Sequence, residues 1–426
     1  MDKPFEPYPS MNCRIISEKV KYRIIMSYAL YFILCAFIFN TPLDILNGLK
    51  DIISSPSILI SDYMAVGNVG AAFVNSGILM LIALAIAHKN NSHMTGSLIA
   101  AVFTVGGFAF FGKNVYNIIS IILGVYLHSR IQKEKFSKYL LIAFFGTSLG
   151  PLVSQISFGL DLPPLLGLFS GHMAGLIAGL VLPALAGHFV KFHQGFSLYN
   201  IGFVSGMVGT FFMSVIRAFG KNSERALIVS VGNDLEFTVI FGLLFVSLLV
   251  LGFYFNNKSF RNYIRLFRHS GRLIEDFVLM DGFAITLINM GTLGLLSTAL
   301  MLLIGGELNG PIIGGILTVV GFGAFGKHPK NVIPVMAGVF FGALLQVWDI
   351  TSTAVLITVL YSTTLAPIAG KFGWKAGLLA GFLHITIVMN IGDLHGGMNL
   401  YNNGFAGGMV AGTLVPIFES FRKEEI

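Results

Sequence analysis

The octet GFAFFGKN begins at Gly107, and GFGAFGKH begins at Gly321, 214 positions on (321 less 107) in a chain of 426 residues. The spacing is about half the chain, and the match extends well beyond the octet. At the same offset VNSG at Val74 meets INMG at Ile288, Gly96 meets Gly310, Thr104 meets Thr318, Asn117 meets Asn331 and Gly124 meets Gly338. With small shifts the agreement continues. TSLGP ending at Pro151 pairs with TTLAP ending at Pro367, and HQGFSLYNIGFVSGMV from His193 pairs with HGGMNLYNNGFAGGMV from His395. Chance likeness between apolar helices does not reproduce Lys, His, Asn and Tyr in order, so the second half is a copy of the first.

Composition says what was copied. Hydrophobic residues make up 55% of the chain and charged residues 11%, with a mean hydropathy of +0.80. Soluble domains carry about 25% charge. Runs such as Ile24–Phe39, Tyr139–Leu160 and Phe237–Phe255 approach the ~20 residues that cross a bilayer as helix. The pattern predicts an all-α polytopic membrane protein and favours helices over a β-barrel, whose strands would alternate over short segments. The 50 glycines fit closely packed membrane helices. The net charge of +7 sits mostly in short loops, where it orients helices, and does not signal nucleic acid. Cys13 lies in the polar arm and Cys35 in the first apolar run, so neither a disulfide nor a thiolate metal site is expected. The first ~22 residues lack a cleavable signal pattern, so the first helix is expected to remain.

Each half reads as seven apolar segments. We expect an N-terminal arm over 1–22, a first repeat over 23–217, a second over 218–418 and a tail over 419–426. An odd number of crossings turns the second copy upside down, giving an inverted repeat. The charges agree: Arg14, Lys19, Lys21 and Arg23, the Arg130–Lys138 loop, the Lys258–Arg272 stretch, and Lys371 with Lys375 fall on one side, expected to be cytoplasmic with both termini. Arg217, Lys221 and Arg225 are the exception. The linker over 258–277 spaces Arg261, Arg265, Arg268 and Arg272 helically among Tyr263, Ile264, Phe267 and Leu273. This predicts an amphipathic helix attracted to anionic lipid.

Three groups of residues stand out. The stretch Asp62–Leu84, with Asn68 and Asn75, reads either as a re-entrant half-helix broken at Asn75–Gly77 or as one tilted helix packed through its glycines. Its partner starts at Asp281 and holds Asn289 at the equivalent break, Asn289–Gly291. In the repeated octet, Phe108, Phe111, Phe322 and Phe325 would narrow a path with Lys113 and Lys327 at its mouth, or the lysines would snorkel from short helices. The pairs Tyr116–Asn117, Tyr199–Asn200 and Tyr401–Asn402, with Asn331 in the second copy, suit either a neutral solute or the backbone of neighbours. His193 and His395 read as structural histidines at helix ends.

GNVGAAFVNSGILMLIAL (Gly67–Leu84), VYNIISIILGVYL (Val115–Leu127), LYNIGFVSGMVG (Leu198–Gly209) and LYNNGFAGGMV (Leu400–Val410) resemble motifs of the urea transporters. The Asn-x-Gly turns here lack the family's proline and are shorter, and the Tyr-Asn motifs lack its leading glycine. The resemblance implies a urea-transporter-like fold and a small amide-like solute. The full sequence also resembles an uncharacterised family of bacterial multi-pass membrane proteins, which brings no known substrate.

Asp161, His172, Glu307, Asp349, His384 and Asp393 are the ionisable groups in or near apolar runs, and most fall at segment ends. That weakens ion coupling. With no nucleotide loop, metal cluster or nucleophile–base pair, no enzyme, cofactor or metal is expected. The sequence thus points to a channel or facilitator for a small polar, neutral solute. An ion-coupled transporter is the alternative, and an intramembrane enzyme or sensor comes third. A homo-oligomer is compatible with all three.

Overall fold

The computed structural model describes residues 16–223, 226–345 and 347–421. The first half contains α1 (Glu18–Phe39), α2 (Pro42–Ser54), the single turn α3 (Tyr63–Val66), α4 (Val69–Lys89), α5 (Gly96–Phe108), α6 (Val115–Ile131), α7 (Leu140–Gly146), α8 (Gly150–Phe158), α9 (Pro164–Phe192) and α10 (Asn200–Ala218). The second contains α11 (Asp234–Phe255), the single turn α12 (Phe277–Met280), α13 (Phe283–Leu303), α14 (Gly310–Phe322), α15 (Pro329–Leu345), α16 (Thr353–Tyr361), α17 (Ala366–Phe372), α18 (Trp374–Ile391) and α19 (Asn402–Phe421). A 3₁₀ turn joins α7 to α8 and another joins α16 to α17, so each pair runs as one bent segment.

Ten segments among the described residues are long and apolar enough to cross a membrane, five in each half. Their outward faces carry apolar side chains such as Leu34, Phe169 and Leu243, each at least 60% exposed. Such surface belongs against lipid, where helices satisfy their own backbone. This is a multi-pass membrane protein.

The shorter helices α5 and α6, and α14 and α15, form two hairpins. At 1.5 Å per residue, the 13 residues of α5 reach only about 20 Å. The α5 start lies at the face where α1 begins: Asp276 of the linker accepts from Gly96 N, and Glu18 accepts from Met94 N. The α5 end meets the opposite face, where Tyr63 N donates to Phe110 O at 2.9 Å. Helix α6 then runs back beside α9, with Ser120 against Gly175 and Gly124 against Gly179. The chain therefore turns back at residues 109–114 and returns to the face it left. The second copy repeats this from the other face, with Phe277 N donating to Ala324 O.

Helices α5 and α14 pack antiparallel at the centre. A Cβ on Gly107 would lie 2.7 Å from Gly314 O, and one on Gly314 would lie 2.6 Å from Gly107 O. Only hydrogen fits there, so glycine permits the contact. The repeat-equivalent pair meets as well, a Cβ on Gly321 lying 3.2 Å from Ala100 O. An approximate two-fold axis therefore crosses both helices, and the halves run in opposite senses.

Several expectations are corrected. The chain is not broken at Asn75–Gly77 or Asn289–Gly291, because α4 and α13 run through both as continuous helix. The break falls instead after α5 and α14, at Gly112 (φ 104°) and Gly326 (φ 92°), a backbone region glycine adopts without strain. The second copy's match for Asp62 is Asp276, not Asp281. The 258–277 linker is not one helix: it forms a six-residue 3₁₀ turn, Tyr263–Arg268, followed by irregular chain with a turn at 273–274. Arg272 there is drawn inward, donating from Nε to Gln194 O at 2.6 Å and lying over the Phe196 ring. Helix α1 begins at Glu18, inside the expected 1–22 arm. Cys13, Arg14, Arg225 and residues 422–426 of the expected tail lie outside the described residues.

Candidate functional site

The hairpin tips are held by matched brackets. Asn75 Nδ2 donates to Ala109 O and Lys113 O, both at 2.7 Å. Asn289 Nδ2 donates to Gly323 O and Lys327 O, again both at 2.7 Å. A carbonyl at a buried helix end has no helical partner and needs one from elsewhere. Asn117 Nδ2 donates to Gly112 O, and Asn331 Nδ2 donates to Gly326 O, each at 2.9 Å. Asn200 Nδ2 donates to Ala186 O while its Oδ1 meets His193 Nε2 at 2.9 Å; Asn402 makes the same pair of bonds with Val388 O and His395. Asn68 caps α4, accepting from Ala71 N.

The expected asparagine-lined path is therefore corrected. Asn68, Asn75, Asn117, Asn200, Asn289, Asn331 and Asn402 all direct their amides to the backbone. The reason is physical: turning a chain inside an apolar interior strips carbonyls of water, and an asparagine amide is the neutral side chain that replaces it. The case for a neutral, amide-like solute weakens with this, since it rested on those side chains. His193 and His395 are fully buried partners of asparagines rather than interfacial groups.

The half-helix N-termini are closed across the halves. Asp276 accepts from Gly96 N and Ser97 N at the start of α5, and Asp62 accepts from Gly310 N at the start of α14. Each carboxylate thus sits at a positive helix end of the other copy. The 214 offset relates Asp62 to Asp276, and the following aromatics Tyr63 and Phe277 as well. That offset was available in the sequence and would have found the pair.

Between the halves, aromatic rings fill the middle. Tyr199 and Tyr401 lie 4.9 Å apart between centroids. Phe108 packs on Tyr401 at 4.6 Å, and Phe322 on Tyr199 at 4.9 Å. Phe108 meets Tyr361, and Phe322 meets Phe145, each at 5.6 Å. Two cavities approach this layer. One of ≈400 Å³ lies on the α1-start face beside Leu273 and Ile274, lined by Ile142, Phe145, Asn200 and Phe325. The other, of ≈250 Å³, lies on the opposite face beside Leu59 and Ile60, lined by Thr358, Tyr361, Asn402 and Phe111. These linings occupy equivalent positions of the repeat. The second is the more polar, with Thr358 and Tyr361 where the first has Ile142 and Phe145.

The lysines do not form a mouth. Lys113 and Lys327 are fully buried, each tucked behind the aromatic layer. Lys327 Nζ donates to Thr363 Oγ1 at 2.7 Å and to Tyr199 Oη, and lies 4.9 Å from the Phe322 centroid. Lys113 Nζ has only Phe144 O, at 3.5 Å, and lies 4.8 Å from the Phe108 centroid. Among the described residues neither forms an ion pair, and no carboxylate acts on either. No grouping of His, Cys, Asp or Glu among the described residues suits a metal. Thr363, Tyr361 and Phe145 were not foreseen; the aligned turns TSLGP and TTLAP were the signal for them.

No curated protein and no solved structure matches this chain. The comparisons thus give the urea-transporter resemblance no support. A family match covers residues 41–218 and again 255–420, one span in each half. The chain belongs to the family described as proteins of unknown function, DUF1576.

Proposed function

We propose that this protein carries a small polar solute across a membrane, along a path between its two halves. The observation behind this reading is the pair of cavities at equivalent positions of the repeat, on opposite faces, with one aromatic layer between them. An inverted duplication makes such a path naturally, since each half supplies one entrance. The closed layer of Phe108, Phe322, Tyr199 and Tyr401 favours a transporter that alternates between two states over an open channel. The basic loops on the α1-start face orient that face, with both chain ends, toward the cytoplasm. Arg261, Arg265 and Arg268, all exposed, supply the contact with anionic lipid.

Proteoliposomes test the reading. Uptake of a panel of radiolabelled small solutes is measured with and without ion gradients. Saturable, protein-dependent uptake of one member is expected, reduced when Phe322→Trp fills the layer. Uptake that survives an uncoupler marks a facilitator, and uptake that collapses marks ion coupling. A panel in which no solute enters above protein-free vesicles refutes the reading.

A further inference from the structure

The two lysine sites are equivalent in sequence but not in bonding. Lys327 has its tyrosine: Nζ donates to Tyr199 Oη and to Thr363 Oγ1. At the other site the equivalent tyrosine is Tyr401, whose buried Oη makes no bond to the lysine and lies toward Thr104. Lys113 retains a single long bond, to Phe144 O at 3.5 Å. A third group differs in the same way. Thr318 Oγ1 donates to Gly314 O, whereas the buried Oγ1 of its equivalent, Thr104, makes no such bond and faces the Tyr401 hydroxyl.

These groups gather round one ring. Lys113 Nζ lies 4.8 Å from the Phe108 centroid, and the Tyr401 ring lies 4.6 Å from the same centroid. Thr104 is one helical turn before Phe108 on α5. Tyr401 also lines the ≈400 Å³ cavity. The inventory is one-sided: a lysine amine and two hydroxyls, all able to donate, with no carboxylate acting on the lysine. A buried ammonium without a counter-charge is costly, and a buried donor left unmade costs roughly 1–3 kcal/mol. The ligand that suits a lysine without a counter-charge beside two hydroxyls is small and anionic, with acceptor oxygens and no need to donate.

We propose that Lys113, Tyr401 and Thr104 bind the carboxylate of a small organic anion entering from the larger cavity. The transport reading gives this anion its destination, but its binding stands apart from transport. The Lys327 site shows the same machinery with its tyrosine closed onto the lysine, the form that holds no anion.

Binding is measured on the full-length protein in detergent, by thermal shift and titration calorimetry. The probes are sodium acetate and sodium propionate, with acetamide and propionamide as neutral isosteres and sodium chloride as the ionic-strength control. Saturable stabilisation by the carboxylates alone is expected. Tyr401→Phe keeps the ring and removes only the hydroxyl; it is expected to weaken carboxylate binding at least tenfold, and Lys113→Met to abolish it. Lys327→Met is expected to leave it within twofold. Equal responses to carboxylate and amide overturn the proposal, as does unchanged binding in both Lys113→Met and Tyr401→Phe. Carboxylate binding without vesicle uptake of the same anion counts against the transport reading alone. Uptake of a neutral solute without any carboxylate binding counts against this site alone.

Discussion

The two hairpin tips were written by one duplication, yet they preserve different things. Their asparagine brackets are identical: Asn75 and Asn289 each reach two carbonyls at 2.7 Å, on positions 214 apart. Their lysines have parted company, Lys327 making two hydrogen bonds to side chains and Lys113 nearly unpartnered. Backbone groups in an apolar interior must be satisfied in every copy and every state, so both copies keep those bonds. Symmetry is kept where the fold needs it and lost where a path would need two different ends.

The sharpest way to break this comparison is at the central crossing. Gly107→Val and Gly314→Val each push carbon into a carbonyl of the facing helix, which is backbone and cannot swing aside. Both variants are expected to lose the folded species, seen as aggregation in size-exclusion chromatography. A well-folded variant of either would mean that α5 and α14 do not cross there.

Next come the brackets. Asn75→Ala and Asn289→Ala each strand two buried carbonyls, at about 1–3 kcal/mol apiece. The comparison predicts similar falls in melting temperature for the two, together with reduced yield. A large loss for one and none for the other would show that the tips are not equivalent.

The lysines should then part. Lys327→Met removes two hydrogen bonds and leaves Tyr199 and Thr363 without their donor, an expected loss of about 1–3 kcal/mol. Lys113→Met replaces a nearly unpartnered buried ammonium with an apolar chain of similar length and is expected to be neutral or stabilising. Differential scanning fluorimetry on the pair is enough, and equal destabilisation would erase the asymmetry.

The smallest effect lies in the linker, where His269 pairs with Asp281 at 2.8 Å. Burial on its own would lower the imidazole's pKa, but the hydrogen bond and charge of Asp281, aided by Glu275, raise it above the ordinary value. A histidine whose folded pKa is raised contributes stability below its unfolded pKa and loses it as pH rises through the folded one. The pair should therefore add about 0.5–1 kcal/mol below pH ~6.5 and fade above it. His269→Gln should flatten the melting temperature over that range. A variant that keeps the wild-type slope would place the titration elsewhere.

Much of the fold was legible in the chain. The 214 offset, the apolar runs and the odd segment count together implied two membrane copies running in opposite senses, because periodic burial and duplication are written residue by residue. The site was legible only in outline. Tyr199, Tyr401, Phe108 and Phe322 were singled out, and they do meet at the centre. The roles of the asparagines were not legible. Asn75 followed by Ser76 and Gly77 looks like a helix breaker from neighbours alone, but its amide reaches Ala109 and Lys113, over thirty residues away. What an amide bonds to is set by the segment packed beside it.

The sequence by itself therefore determined the medium, the duplication and the residues that recur, since these follow from composition and offset. Tertiary structure alone decided that Lys113 lies buried rather than at a mouth, and that Asp276 caps the other copy's partner helix. It also decided that one tyrosine is engaged by a lysine while its twin is not. The physical reason is common to all three. Burial and hydrogen-bond satisfaction are properties of what surrounds a group, and here the surroundings come from the opposite half of the chain.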